Sequence, residues 1–172
     1  MIFFDRKLEN KFNWNDTNAQ KCLLLPSYRL LEYQKEKPEP TTGWREYKNY
    51  WWKPNLLLAK RAVQLAYDWG GENIRLCADV EMPYDPNNIE ILKELEPMFK
   101  EMRWTVNHGK WAFNENFGAK IKLYNYVITS MPHYKMPDVE QRDIFRKPLN
   151  NAWEAYGNYV DGLTIGAYFR KE

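Results

Sequence analysis

The chain has 172 residues, which fits one domain, or one domain with an appendage. Charged residues make up 28% and the net charge is +2 with both signs interspersed, so bulk charge favours neither a nucleic-acid-binding protein nor an acidic mimic of DNA. No apolar run approaches the ~18 residues that span a membrane, and the N-terminal segment lacks the apolar core of a signal peptide. We therefore expect a soluble, cytoplasmic protein.

The composition is rich in aromatic residues and poor in cysteine. Aromatic residues make up 16% of the chain, and such side chains dominate the hot spots of protein interfaces. Cys22 and Cys77 are far apart and belong to no CxxC or Cys/His spacing, which predicts two reduced, buried thiols rather than a zinc site. The abundance of Asn, Lys, Tyr and Glu is typical of small proteins of A+T-rich phages and low-GC bacteria, which is the origin we expect.

The first quarter of the chain is predicted to be an appendage. Capping residues predict a helix over residues 15–25. Residues 37–43 contain two prolines and a glycine, which is typical of a loop or linker. We therefore expect an N-terminal appendage with a Pro-rich linker over 1–43 and the main domain over 44–172. A single domain over 1–172 is the alternative.

The segment 44–53 has the most unusual local composition, because aromatic and basic residues interleave along it. On a surface these residues would form a hot spot for a partner protein, or their rings would stack on the bases of a single-stranded nucleic acid. The simpler interpretation is the buried face of a helix, since the rings recur at i, i+3 and i+7. The predicted binding residues are Trp44, Arg45, Tyr47, Lys48, Trp51, Trp52 and Lys53.

The elements after residue 53 alternate between helices and strands. An apolar face predicts a helix over 54–69 that begins at Pro54, and period-two alternation predicts a buried strand over 74–80. Asp85 and Pro86 open a further helix, which Pro97 kinks or splits. The remaining segments are a hairpin over 104–113, a strand over 120–129, helices over 138–147 and 148–160, and a strand over 163–169. This order predicts an α+β fold with a mixed, largely antiparallel sheet and helices packed mainly on one face.

Three carboxylates follow the strand predicted over 74–80. Asp79 and Glu81 share one face of it, and Asp85 lies in the next turn, a position where ligand sites often occur in α/β folds. They could hold Mg²⁺ together with a substrate phosphate, as in a metal-dependent nuclease or a nucleotide-processing enzyme. The simpler interpretation is that Asp79 and Glu81 form the polar face of a half-buried strand and that Asp85 caps a helix.

The other chemistry-bearing residues complete no catalytic set. His108, in the predicted hairpin turn beside Asn107, is a further candidate for the enzyme, but the small metal-dependent nucleases with a histidine and an asparagine on a hairpin need a second histidine at a fixed place, which this sequence lacks. Lys120 and Lys122 have no Glu two residues before them, so the Glu-x-Lys strand of one class of nucleases is absent. Neither serine lies in a nucleophile elbow.

The sequence therefore favours a small, non-catalytic protein without a cofactor that binds a macromolecule, above all a host or partner protein, through residues 44–53. Two alternatives stay open. One is a Mg²⁺-dependent enzyme that uses Asp79, Glu81 and Asp85 with His108. The other is a protein that binds single-stranded nucleic acid through 44–53. The sequence leaves the oligomeric state open.

Overall fold

The computed structural model describes residues 22–70, 74–81, 83–108, 121–128 and 137–166. Within these ranges the chain forms seven strands and four α-helices. The strands are β1 (Cys22–Pro26), β2 (Leu31–Gln34), β3 (Arg45–Tyr47), β4 (Tyr50–Pro54), β5 (Arg75–Asp79), β6 (Lys122–Ile128) and β7 (Gly162–Gly166). The helices are α1 (Leu56–Gly70), α2 (Ile89–Lys93), α3 (Glu96–His108) and α4 (Asp138–Tyr156).

The larger sheet is parallel and has the strand order β1-β5-β6-β7. Parallel neighbours need long crossover connections, and right-handed crossovers that all step in one direction place their helices on the same face of the sheet. The contacts agree with this arrangement, because α3 touches both α1 and α4. The helices thus form one layer over the sheet.

The hydrophobic core lies between this helical layer and the sheet. Leu76 of β5 and Leu123 of β6 are fully buried there. Phe99 of α3 stacks on Tyr156 of α4 with a distance of 4.4 Å between ring centroids. Asn125 of β6 is also buried, and its Nδ2 donates a hydrogen bond of 2.8 Å to the Tyr156 hydroxyl. That bond satisfies the amide nitrogen, whereas Asn125 Oδ1 is buried without a hydrogen-bond partner among the described residues.

Both cysteines lie on the other face of the parallel sheet. They are buried and free, as the sequence predicts. Cys22 pairs with Arg75, so Cys77 is its diagonal neighbour, and diagonal Cα atoms are ~7–8 Å apart, which is too far for a disulfide without backbone movement. Burial raises the pKa of the Cys77 thiol to about 12, so both groups remain thiols.

The smaller sheet is antiparallel, has the order β2-β4-β3, and is inserted between β1 and α1. A two-residue turn joins β3 to β4, with φ of 49° at Lys48 and 65° at Asn49. Positive φ at both positions is the geometry of a type I′ hairpin. Leu31 of β2 is fully buried, and Trp52 of β4 packs against the core, so this insert is fixed to the rest of the fold.

The predicted α+β class is confirmed, because helices accompany a parallel and an antiparallel sheet. The expectation of a largely antiparallel sheet is wrong, because the larger sheet is parallel. One cause is the helix predicted over 15–25. Its described part forms β1 instead, since a short apolar run such as Leu23–Leu25 has no period that separates a buried strand from a helix.

A second cause is the hairpin predicted over 104–113. Its described residues belong to α3, which continues to His108 because Met98, Met102 and Val106 repeat every four residues and are all buried. The remainder of that hairpin, from Gly109, lies outside the described residues.

Other boundaries differ in detail. Pro54 ends β4, and Asn55 caps α1 by accepting a hydrogen bond of 2.9 Å from the Leu58 N–H at Oδ1. The predicted split near Pro97 is confirmed, since the chain leaves α2 after Lys93 and α3 begins at Glu96. The two helices predicted over 138–160 form one helix, α4, with Pro148 inside it.

Candidate functional site

The segment 44–53 forms the β3–β4 hairpin, so its interpretation as a buried helix is wrong. The type I′ turn is the physical reason, because a helix cannot pass through two consecutive residues with positive φ. Successive side chains of a strand point to opposite faces, which divides the predicted binding residues. Arg45, Tyr47 and Trp52 lie on one face of the small sheet, Trp44, Trp51 and Lys53 on the other, and Lys48 in the turn.

The first of these faces, which we call the tyrosine face, consists of Tyr33, Arg45, Tyr47, Tyr50 and Trp52. The side chains of Tyr33 and Tyr50 are 54% and 40% exposed. The Tyr33 ring packs edge-on against Tyr50 at 5.9 Å between centroids and tilted against Trp52 at 4.8 Å. Because Trp52 packs against the core, the exposed rings rest on a fixed support.

The sequence reasoning missed Tyr33 and Tyr50. The signal for Tyr33 is the alternation over residues 31–34, where Leu and Tyr alternate with Glu and Gln as in a half-buried strand. Tyr50 lies inside the predicted segment but is not among the predicted binding residues.

An ion pair fixes the tyrosine face to the helical layer. Arg45 donates from Nε and Nη2 to the two carboxylate oxygens of Glu94, both at 2.7 Å. This two-pronged geometry is stronger and more directional than a single contact. The hydrogen bond with Glu94 raises the pKa of Arg45. Tyr84 is buried nearby, and burial followed by the charge of Glu94 raises the pKa of its hydroxyl.

On the opposite face of the small sheet, basic side chains cover aromatic rings. Lys53 Nζ lies 5.7 Å from the centroid of the Trp44 ring. Gly43 packs against the Lys53 side chain, since a Cβ at Gly43 would lie 3.7 Å from Lys53 Cε. At the turn, Lys48 Nζ lies 5.1 Å from the Tyr47 centroid. These cation–π contacts occupy the ring faces of Trp44 and Tyr47.

Exposed apolar side chains concentrate around the small sheet. Of nine exposed large hydrophobic side chains in the described ranges, five lie between residues 28 and 57. They are Tyr28, Tyr33, Tyr50, Leu56 and Leu57. Of these five, Tyr33 and Tyr50 are in contact with each other, and exposed apolar side chains that adjoin are typical of interaction surfaces, whereas single ones need no explanation.

The carboxylates form a second candidate site at the carboxyl end of β5, the edge of a parallel sheet where ligands bind. Ser27 Oγ donates to the Asp79 backbone oxygen and accepts from the Glu81 N–H, both at 3.0 Å. Asp79 Oδ1 is buried and has no hydrogen-bond partner among the described residues. Burial, and then the charge of Glu81, raise the pKa of Asp79 to about 6.

Asp85 and His108 do not join Asp79 and Glu81 in a group that could hold a metal ion within the described residues. Asp85 Oδ1 accepts from the Asn87 N–H and Nδ2 at 2.9 and 3.1 Å, which is a turn role. The His108 ring stacks on Trp104 at the last turn of α3. Arg103, in the same turns of α3, binds Asp161 just before β7, so this end of the helix lies at the amino edge of the parallel sheet. Over the ranges described, no three His, Cys, Asp or Glu side chains are grouped to hold a metal ion.

Comparison with models of protein families, with curated proteins and with solved structures gives no match in any of the three. In the described part of the chain, no helix is both long and apolar enough to cross a bilayer.

Proposed function

We propose that the chain binds a partner protein, of host or cellular origin and in the cytoplasm, through the tyrosine face. The observation that carries the proposal is the support of exposed Tyr33 and Tyr50 on Trp52, which packs against the core. Tyrosine supplies a large contact area at low entropic cost, and rings already held in place lose little further freedom on binding. The Arg45–Glu94 pair supplies a polar border to this patch.

A protein partner fits the charges better than a single-stranded nucleic acid. Residues 27–55 carry six basic and four acidic side chains, and Arg45 is already paired with Glu94. Lys48 and Lys53 lie over rings of this chain, so the rings of Tyr47 and Trp44 are covered on one side instead of open to bases. Binding to nucleic acid would need more free positive charge along the patch.

Site-specific photo-crosslinking in cells tests this function. A photoreactive phenylalanine analogue in place of Tyr50 is expected to give one discrete protein adduct. The same group in place of Trp153, which is even more exposed on α4, is expected not to. The protein in that adduct should bind the purified chain, and Tyr50→Ala should weaken binding by about tenfold or more, as for an interface hot spot. Trp153→Ala is the matched control. Adducts only with nucleic acid, or the same adduct from both positions, would overturn the proposal.

A second candidate function is hydrolysis of nucleic acid or nucleotides with Mg²⁺ at Asp79 and Glu81. The observation that favours it is the buried, unpartnered Asp79 Oδ1 at the carboxyl edge of the parallel sheet. The test is incubation of the chain with DNA, RNA and nucleoside triphosphates in the presence of Mg²⁺. Turnover that Asp79→Asn abolishes and Asp85→Asn retains would support it, and absence of turnover would remove it.

A further inference from the structure

The hydrogen-bond register of the small sheet determines which backbone groups of β2 face outward. In a two-residue hairpin the residues that flank the turn form a hydrogen-bonded pair, here Tyr47 and Tyr50. Hydrogen-bonded pairs alternate with non-bonded pairs, so the backbone N–H and C=O groups of Tyr50 and Trp52 bond to β3. Those of Trp51 and Lys53 therefore bond to β2.

The same alternation then applies to β2. Glu32 and Gln34 are opposite Lys53 and Trp51 and bond to them, whereas Tyr33 is opposite Trp52 in a non-bonded pair. An independent contact agrees with this register, since the Asn55 N–H donates to the Leu30 oxygen at 3.2 Å, two pairs before Glu32–Lys53. The N–H and C=O of Tyr33 consequently point away from β4, to the outer edge of the sheet.

This outer edge is open in the described structure. Within the described residues β2 pairs only with β4, and residues 33–37 are all exposed. The opposite edge, on β3, presents the backbone of Glu46 between Arg45, which is already paired with Glu94, and Tyr47, whose ring lies under Lys48. A segment added to β2 would instead lie beside the exposed Tyr33 ring, so β2 is the edge that fits a further strand.

We propose that the partner contributes an extended segment that adds to β2 as a fourth strand of the small sheet. This inference rests on the proposed function, because the same segment would place apolar side chains beside Tyr33 on the tyrosine face. The Tyr33 N–H and C=O bond to the backbone of the segment, and its alternate side chains pack against the Tyr33 ring. Backbone hydrogen bonds provide affinity in this mode of recognition, and side chains on one face provide specificity.

Peptides selected from a random displayed library against the intact chain are the probes for this mode. We expect selected peptides to alternate apolar with polar residues. On binding, the exchange of the Tyr33 amide hydrogen should slow by about tenfold or more, because it becomes a sheet hydrogen bond. The amide of Glu46, which faces outward at the other edge, is the internal control and should keep its exchange rate.

Two proline variants distinguish the contribution of the backbone at the sheet edge from that of the Tyr33 ring. Tyr33→Ala removes only the ring, whereas Tyr33→Pro removes the ring and the outward N–H, so the proline variant should bind the selected peptide about tenfold more weakly than the alanine variant. Glu46→Pro removes the outward N–H of the other edge and should bind normally. Thermal unfolding of each variant identifies any that fails to fold, and amide exchange in the unmodified chain then decides.

The outcomes distinguish the two proposals. Peptides whose binding is lost in Tyr50→Ala, without protection of the Tyr33 amide, would overturn strand addition and leave the tyrosine face as a binding surface. Protection at Glu46 instead of Tyr33 would also overturn it. Selection that yields no peptide sensitive to Tyr33→Ala, Tyr33→Pro or Tyr50→Ala would count against both.

Discussion

Tyr33 and Trp52 stand directly opposite each other on adjacent antiparallel strands, with their rings 4.8 Å apart and tilted by 32°. One ring is mostly exposed, and the other packs against the core. Trp52 therefore connects the exposed Tyr33 ring to the core and restricts its movement. Aromatic pairs of this kind contribute ~0.5–1.5 kcal/mol beyond their buried area.

The first prediction concerns Trp52. Trp52→Ala should lower the free energy of unfolding by about 2–4 kcal/mol, because it removes a half-buried ring that both fills the core margin and supports Tyr33. Urea unfolding followed by far-ultraviolet circular dichroism measures the change. Trp153→Ala, an exposed residue on α4, should cost roughly 1 kcal/mol or less. Equal losses for the two variants would contradict the anchoring role of Trp52.

The second prediction concerns the Arg45–Glu94 pair. A double-mutant cycle with Arg45→Ala and Glu94→Ala should give a coupling energy of about 1 kcal/mol in low salt, since both side chains are about one-third exposed and bonded at two points. High salt should reduce the coupling. The exposed Lys93–Glu90 pair on α2 provides the comparison and should couple more weakly. A coupling near zero would show that the pair does not hold β3 to the helical layer.

The third prediction is a pH dependence that originates at Asp79. The pKa of this carboxyl is raised from 3.8 to about 6 in the folded chain, so between these pH values the folded state keeps a proton that the unfolded state has lost. The contribution of Asp79 to the free energy of unfolding should thus decrease as pH rises through this window, and level off above it. Because the group is only half-buried, we expect a change of about 1 kcal/mol.

The measurement for Asp79 is the difference in unfolding free energy between the unmodified chain and Asp79→Asn, taken at intervals from pH 4 to 7. This difference isolates the one carboxyl from all other titrating groups. Asp79→Asn should become the relatively more stable variant as pH rises. A difference that stays constant would mean that the pKa of Asp79 is the same in the folded and unfolded chains, and a change in the opposite direction would mean that folding lowers this pKa; either result would contradict the prediction.

The fourth prediction concerns the buried hydrogen bond between Asn125 and Tyr156. Tyr156→Phe keeps the ring and its stacking on Phe99 but leaves Asn125 Nδ2 without its partner, which should cost about 1–3 kcal/mol. Adding Asn125→Leu to Tyr156→Phe should restore part of the loss, because it removes the unpaired amide. Thermal unfolding of the single and double variants checks this. A double variant that is no more stable than Tyr156→Phe alone would contradict it.

Sequence reasoning succeeded where one pattern dominated. The apolar face of 54–69 and the alternation of 74–80 predicted α1 and β5, because the period of the apolar residues agreed with the Pro and Gly residues that bound these elements. It failed at β1, because the five residues that end at Pro26 show neither the helical nor the strand period of apolar side chains. It also failed in 44–53, because the aromatic residues there fit both periods. The two positive φ values at Lys48 and Asn49 decide that case, and they are a property of the folded backbone that composition does not reveal.

The candidate sites were foreseen unevenly for the same reason. The position of Asp79 and Glu81 at a strand end was predicted, because the alternation that marks the strand is local. The position of Tyr33 was not predicted, since its contact with Trp52, nineteen positions later, depends on the register of β2 and β4. Such nonlocal pairing is set by tertiary structure, which a local pattern does not encode.

The hydrogen bond between Leu30 and Asn55 closes the insert at its base. The two ends of the insert therefore meet at one point. The tip of residues 31–54 can change without altering the path of the chain through the parallel sheet. Length and sequence around the Lys48-Asn49 turn are thus open to exchange, provided that Leu31 and Trp52 keep their places in the core. The fold thus separates the core contacts of Leu31 and Trp52 from the exposed turn at Lys48 and Asn49.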